Sequence, residues 1–204
     1  MGDTEISWTH RPGTRGRTWN PVQGCSRISA GCQNCYAERL AARFAVTGWS
    51  QGLINLKARK WNGTLRIAQH KLADPLRWRE PSTVFVNSMS DLFHKGVDDA
   101  YIAQVFDVIR RCPQHTFQVL TKRADRLASF FRNREVPDNA WLGVSVEDRR
   151  YGVPRIAALR QVDLHVEQVD RRRADEVARN RKVRSCSIIY LKKYVRALKK
   201  FGTT

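Results

Sequence analysis

The stretch TVFVNSM, residues 83–89, sets Val84, Phe85 and Val86 side by side and then turns polar at Asn87 and Ser88. A strand with one face in water alternates apolar and polar residues. Three consecutive apolar β-formers instead predict a strand buried on both faces, as in a parallel sheet covered by helices. TFQVLTK (116–122) and AWLGVSVE (140–147) have the same character. Upstream, RTWNPVQG (17–24) is a strand candidate ending in a Pro/Gly turn, and TLRI (64–67) shows the pattern weakly.

Helical spacing fills the intervals. After Cys35 it falls on Tyr36, Ala37, Leu40, Ala41 and Phe44. Asp98 or Asp99 can cap a helix presenting Tyr101, Ile102, Val105, Phe106 and Ile109 on one face, and Pro113 stops it. Ala124, Leu127, Phe130 and Phe131 predict a third helix, and Ile156, Ala157 and Leu159 a fourth. Residues 47–82, with Trp49, Trp61 and Trp78, read as an insertion holding one small strand. Strand–helix alternation predicts an α/β fold with parallel strands and βα crossovers. The candidates suffice for an open sheet or for a partial, incomplete TIM-like (βα) barrel.

Ligands of such sheets and barrels bind at the carboxyl ends of the strands. Those ends carry the cysteine loop, then Asn87, Ser88 and Asp91, then Lys122, then Ser145 and Glu147. All are expected to face one mouth.

The loop is CSRISAGCQNCYAERL, residues 25–40. Cys25, Cys32 and Cys35 share it with Gly31, and Gly24 precedes it, so the backbone can wrap closely round a bound object. Structural zinc wants four ligands, and a fourth would have to come from His10 or His94. Three thiolates suit a four-iron cluster with one iron left open to S-adenosylmethionine. The aromatic Tyr36 directly after the third cysteine suits that chemistry. Isolated Cys112 and Cys186 are expected to be buried as small hydrophobes.

The string TWNPVQGCSRISAGCQNCYAERLA, followed in order by PLRW (75–78), VFVNSMSDLFH (84–94), VLTKR (119–123) and WLGVSVE (141–147), resembles a phage-associated family found in phages, prophages and bacteria. That family is three-cysteine, radical-S-adenosylmethionine-like and largely of unknown function. The resemblance covers roughly residues 17–162. It implies a radical-S-adenosylmethionine type of barrel, a [4Fe–4S] cluster on the three cysteines, S-adenosylmethionine as cofactor and an external electron donor. The first cysteine gap is longer than the C-x-x-x-C-x-x-C of most radical enzymes.

Within that expectation, Tyr36, Asn87, Ser88, Asp91, Ser145 and Glu147 are the cofactor-binding candidates. Ser145 and Glu147 lie two apart on one strand and share a face. Lys122 is the candidate for an anionic part of the substrate.

After Val162 the family's Gly-Gly-Glu-Ser-like and Lys-Gln-Trp-Gly-like segments are missing, which leaves open an inactive, truncated member. We divide the chain into a cluster-binding unit, 1–168, and a basic, helical tail, 169–204. DLHVEQV (163–169) reads as a sixth strand, and Ile188, Leu191, Val195 and Leu198 have helical spacing, for docking on the sheet or for nucleic acid.

The formal net charge of the 204-residue chain is +18, of which +7 falls in residues 163–204, so the charge is not confined to one arm. Such a balance favours polyanions, nucleic acid above all. A zinc-stapled nucleic-acid-binding protein without catalysis is the second functional reading. The odd count of five cysteines and the absence of a signal-like start point to a reducing, cytoplasmic setting, and no apolar run suits a membrane.

Overall fold

A computed structural model describes residues 3–162 and 187–192. In chain order its elements are β1 (Arg15–Trp19), β2 (Val22–Gln23), α1 (Tyr36–Arg43), β3 (Ile54–Asn55), β4 (Lys60–Trp61), β5 (Arg66–Ile67), β6 (Ser82–Val86), α2 (Asp99–Arg110), β7 (Thr116–Thr121), α3 (Ala124–Phe131), β8 (Ala140–Val146), α4 (Arg149–Arg160) and β9 (Ser187–Lys192).

The main sheet has the order β1-β6-β7-β8-β9. Its first four strands are parallel, with Thr18 beside Phe85, Val84 beside Phe117 and Val119 beside Leu142. All five residues of β6 are buried, as its unbroken apolar run dictates. Val84, Val86, Phe117, Val119, Leu142 and Val144 share one core with the inner faces of α2, α3 and α4. Phe93, Phe106, Phe130 and Phe131 knit that core with ring contacts of 4.8–6.5 Å between centroids. The protein is thus mixed α/β, with a four-stranded parallel sheet and flanking helices. Among the described residues the sheet stays open.

Three expectations need correction. β9 runs antiparallel to β8, with Val146 opposite Ser187 and Trp141 opposite Lys192, so the strands are not all parallel. The helix expected at Ile188 and Leu191 is a strand there, because SIIYLK is a continuous apolar, β-branched and aromatic run that suits a sheet edge as well as a helix. Val195, Leu198, Cys186 and the sixth strand at 163–169 lie outside the described residues. The insertion holds more than one small strand: β3 pairs with β4, and β5 pairs with β2.

The helices sit close to expectation. Asp98 is the N-cap residue of α2, through its backbone oxygen alone, which accepts from Tyr101 and Ile102. α4 begins seven residues before Ile156. Asp148 caps it by accepting from the Tyr151 amide (2.9 Å), while Gly152 and Pro154 hid its first half from the apolar spacing.

The chain leaves β2 through Gly24, whose φ is +89° and whose amide donates to the Met89 carbonyl (3.3 Å). A Cβ here would stand 2.2 Å from the Thr64 carbonyl oxygen. Left-handed strain and a backbone clash add, so Gly24→Ala is expected to lower stability by about 3 kcal/mol. Urea unfolding measures this, and a wild-type midpoint would refute it.

Candidate metal and cofactor site

The cysteine loop crosses the carboxyl ends of β6, β7 and β8, and specific contacts fix it there. Tyr36 donates its hydroxyl to the Ser88 carbonyl (2.9 Å) beyond β6. Arg123, beyond β7, donates to the Ser26 carbonyl (3.0 Å) and hydroxyl (3.2 Å). At the end of β8, Glu147 packs on Gly31 so closely that a Cβ on that glycine would meet Cδ at 2.8 Å. The glycine is favoured by this approach rather than by its φ, since a Cβ there would make the Glu147 carboxylate shift.

Asp91 is buried, and both of its oxygens are engaged. Oδ1 accepts from the Phe93 amide (3.0 Å) and the Thr121 hydroxyl (2.7 Å), and Oδ2 from the Lys122 amide (3.1 Å) and Arg123 (2.8 Å). It locks the ends of β6 and β7 together. Ser88 is buried too, its hydroxyl donating to Asn20 (3.1 Å). Asn87 takes a left-handed φ of +57°, a conformation that Asn tolerates better than most residues. Its Oδ1 accepts from the Val22 amide (3.4 Å), and its buried Nδ2 has no partner among the described residues.

Ser145 is buried, and its carbonyl accepts from Arg155 (2.9 Å). Glu147 pairs with Arg155 through Oε2 (2.6 Å), both side chains being 8% exposed, while Oε1 is buried and has no partner among the described residues. Two orphaned polar atoms, Asn87 Nδ2 and Glu147 Oε1, therefore stand at the ends of β6 and β8. Buried polar groups are normally hydrogen-bonded, so each of these atoms has room in its bonding for a water or a ligand atom.

Tyr36 is 41% exposed, yet its hydroxyl is turned inward, and burial there raises its pKa. Lys122 is half-buried beside the loop. Neither histidine reaches out as a fourth metal donor. The His94 Nδ1 accepts from the Gly96 amide (3.1 Å) and its Nε2 lies 2.7 Å from the Ser26 hydroxyl. His10 is exposed, with Nε2 3.1 Å from the Thr4 carbonyl. Cys112 is fully buried, as expected.

Sequence reasoning missed the arginines. Arg123 stands in the VLTKR string, but nothing in one sequence marks it as the strut between Asp91 and the loop. Arg155 lies on the half of α4 next to its apolar marks and reads there as one more surface cation. Arg27 pairs with Glu38, which also accepts from the Trp61 amide (2.9 Å) and so ties the loop to α1 and the insertion.

The chain matches, over residues 3–170, the family described as a protein of unknown function, DUF5131. It belongs to DUF5131. No curated protein and no solved structure matches it.

This DUF5131 chain keeps its three loop thiols free and half-buried. Cys25 and Cys35 pack against the small apolar cluster of Ala37, Ala41, Leu53, Ile54 and Trp61. Burial pushes the Cys25 thiol up to about 12; the Asp91 charge adds to this, and Arg123, 4.0 Å from the sulfur, opposes it. Cys25 is therefore a neutral thiol as it stands, and ligation would release its proton. Among the described residues no group of three or more His, Cys, Asp and Glu side chains is arranged to hold a metal ion. The donor chemistry, three sulfurs on one loop, fits a thiophilic centre. The two orphaned atoms fit a polar ligand beside it. The fit is one of donor type and position, without a preformed coordination shell. Among the described residues of this DUF5131 chain no helix is long and apolar enough to cross a membrane.

Proposed function

We propose that the protein is an iron–sulfur-binding, radical-S-adenosylmethionine-like member of a phage-associated group, working in the cytoplasm on a partial (βα) barrel. One observation carries the reading: Cys25, Cys32 and Cys35 lie on a single loop fixed over the carboxyl ends of three parallel strands. The one-directional order β1-β6-β7-β8, which part of a barrel would share, supports it.

A [4Fe–4S] cluster bound there would supply one-electron reducing chemistry toward S-adenosylmethionine, with the electron coming from an external donor. The chain's own residues do the rest. Cys25, Cys32 and Cys35 would hold the metal as thiolates, releasing their protons on ligation. Arg123 fixes the loop through Ser26 and offsets the negative charge of Cys25. Glu147 Oε1 would accept from a hydroxyl or ammonium of the cofactor, and Asn87 Nδ2 would donate to an acceptor on it. Tyr36 closes the loop onto Ser88 through its hydroxyl. Asp91 and Ser88 position these groups and are occupied by protein partners.

Anaerobic reconstitution tests the proposal. The brown protein is expected to hold about four irons, to lose them in Cys25→Ala, Cys32→Ala or Cys35→Ala, and to keep them in Cys112→Ala. A chain that takes one tight zinc and refuses iron would overturn the proposal in favour of the zinc-stapled, nucleic-acid-binding reading.

A further inference from the structure

A concavity of about 460 Å³ opens beside the cysteine loop. Its charged lining is five cations, Arg27, Lys95, Lys122, Arg123 and Arg126, against one carboxylate, Asp125. Three of the cations are committed. Arg27 pairs with Glu38, Arg123 with Asp91, and Arg126 with Asp99 (2.8 Å) while also donating to the His94 and Val97 carbonyls. Lys95 is exposed and Lys122 half-buried, and neither makes an ion pair among the described residues.

Like charges gathered in a concavity repel unless an anion offsets them. The neighbouring His94 feels this field. Its pKa is pushed down to about 4, by burial first and then by Arg123, with Lys95 and Arg126 adding and Asp91 opposing. A carboxylate would be satisfied by one arginine fork, but here the arginine forks are already used. What remains is two ammonium groups without an ion pair among the described residues, the point charges that suit a tetrahedral phosphate. The whole-chain charge of +18 draws in the same class of ligand.

We infer that this pocket seats a phosphate group of the substrate, gripped by Lys95 and Lys122, the two lining cations that no carboxylate among the described residues offsets. Ser26 and Arg27 line the pocket and belong to the cysteine loop, so a phosphate held here is anchored next to the thiols. That the ligand is the substrate rests on the function proposed above; that the pocket takes phosphate does not.

The test uses the full chain, before and after iron reconstitution. Binding of a short fluorescein-labelled single-stranded oligonucleotide is followed by anisotropy, with inorganic pyrophosphate and AMP as competitors. Lys95→Ala combined with Lys122→Ala is expected to weaken binding about tenfold, because two charge-assisted contacts go. The control Lys57→Ala with Lys60→Ala, two exposed lysines on the insertion, is expected to change it by less than about twofold. Displacement by pyrophosphate or AMP assigns the phosphate to a small nucleotide; strand binding that both fail to displace assigns it to a nucleic-acid backbone. Both results support the pocket. Equal loss in the two double variants means diffuse charge and overturns it, as does unchanged binding in the pocket variant. Iron content is measured in parallel. A chain that refuses iron but loses phosphate affinity only in the pocket variant keeps this inference and sinks the cluster.

Discussion

Asp91→Ala is expected to destabilise the protein by about 3–5 kcal/mol, the cost of breaking a buried ion pair by removing one partner. The carboxylate and Arg123 are 8% and 11% exposed. Removing Asp91 leaves the largely buried Arg123 guanidinium without its counter-charge and strips acceptors from the Phe93 and Lys122 amides and the Thr121 hydroxyl. For a chain of this length the melting temperature should fall by about 10 °C. Asp91→Asn should lose less, because the amide oxygen still accepts, though its NH2 then confronts a donor. The effect should also reach the loop, since Arg123 is its strut: iron loading of Asp91→Ala should be slow or partial even below its melting point. Calorimetry and iron analysis read the two consequences separately. A variant that melts with the wild type would show that Asp91 awaits a ligand instead of holding the strand ends.

That outcome bears on what one sequence discloses. The parallel sheet was legible because Val84-Phe85-Val86 and its counterparts are short, apolar and unbroken, a pattern that few other structures need. The location of the site was legible for the same reason, since strand ends follow from strands. What each polar residue does there was not legible. Asp91 and Glu147 look alike in the sequence, an acid just past a buried strand. Folding gives Asp91 four protein donors and leaves Glu147 with one free oxygen, a difference set by Thr121, Arg123 and Arg155 from other elements. The tail shows the opposite limit. At Ile188 and Leu191 a short apolar run satisfied helix and strand periodicity together, and the exposed edge of β8 decided between them. In α4, Gly152 and Pro154 concealed helical residues that the Asp148 cap and tertiary packing sustain.

Glu147 is where stability and ligand binding can be pulled apart. Its Oε2 balances Arg155, its Oε1 faces no donor among the described residues, and its Cδ presses on Gly31 of the cysteine loop. Glu147→Ala removes the counter-charge of a buried arginine and is expected to cost about 3–5 kcal/mol, so lost binding in that variant would say little about the free oxygen. Glu147→Gln is the discriminating change. An amide oxygen turned to Arg155 keeps that hydrogen bond at reduced strength, while the NH2 takes the place of Oε1 and presents a donor where an acceptor stood. A ligand hydroxyl or ammonium then meets a donor in place of an acceptor. The expected result is a fold that survives, with iron loading unchanged and S-adenosylmethionine binding weakened by at least about tenfold, or ~1.4 kcal/mol. Titration calorimetry on the anaerobic, iron-loaded protein measures it. Arg155→Met supplies the converse: it leaves the carboxylate buried without its partner and should destabilise the fold while keeping the acceptor in place. Should Glu147→Gln bind the cofactor like wild type, Oε1 would be a tolerated orphan, and the role of Glu147 would be confined to holding Arg155 and shaping the loop at Gly31.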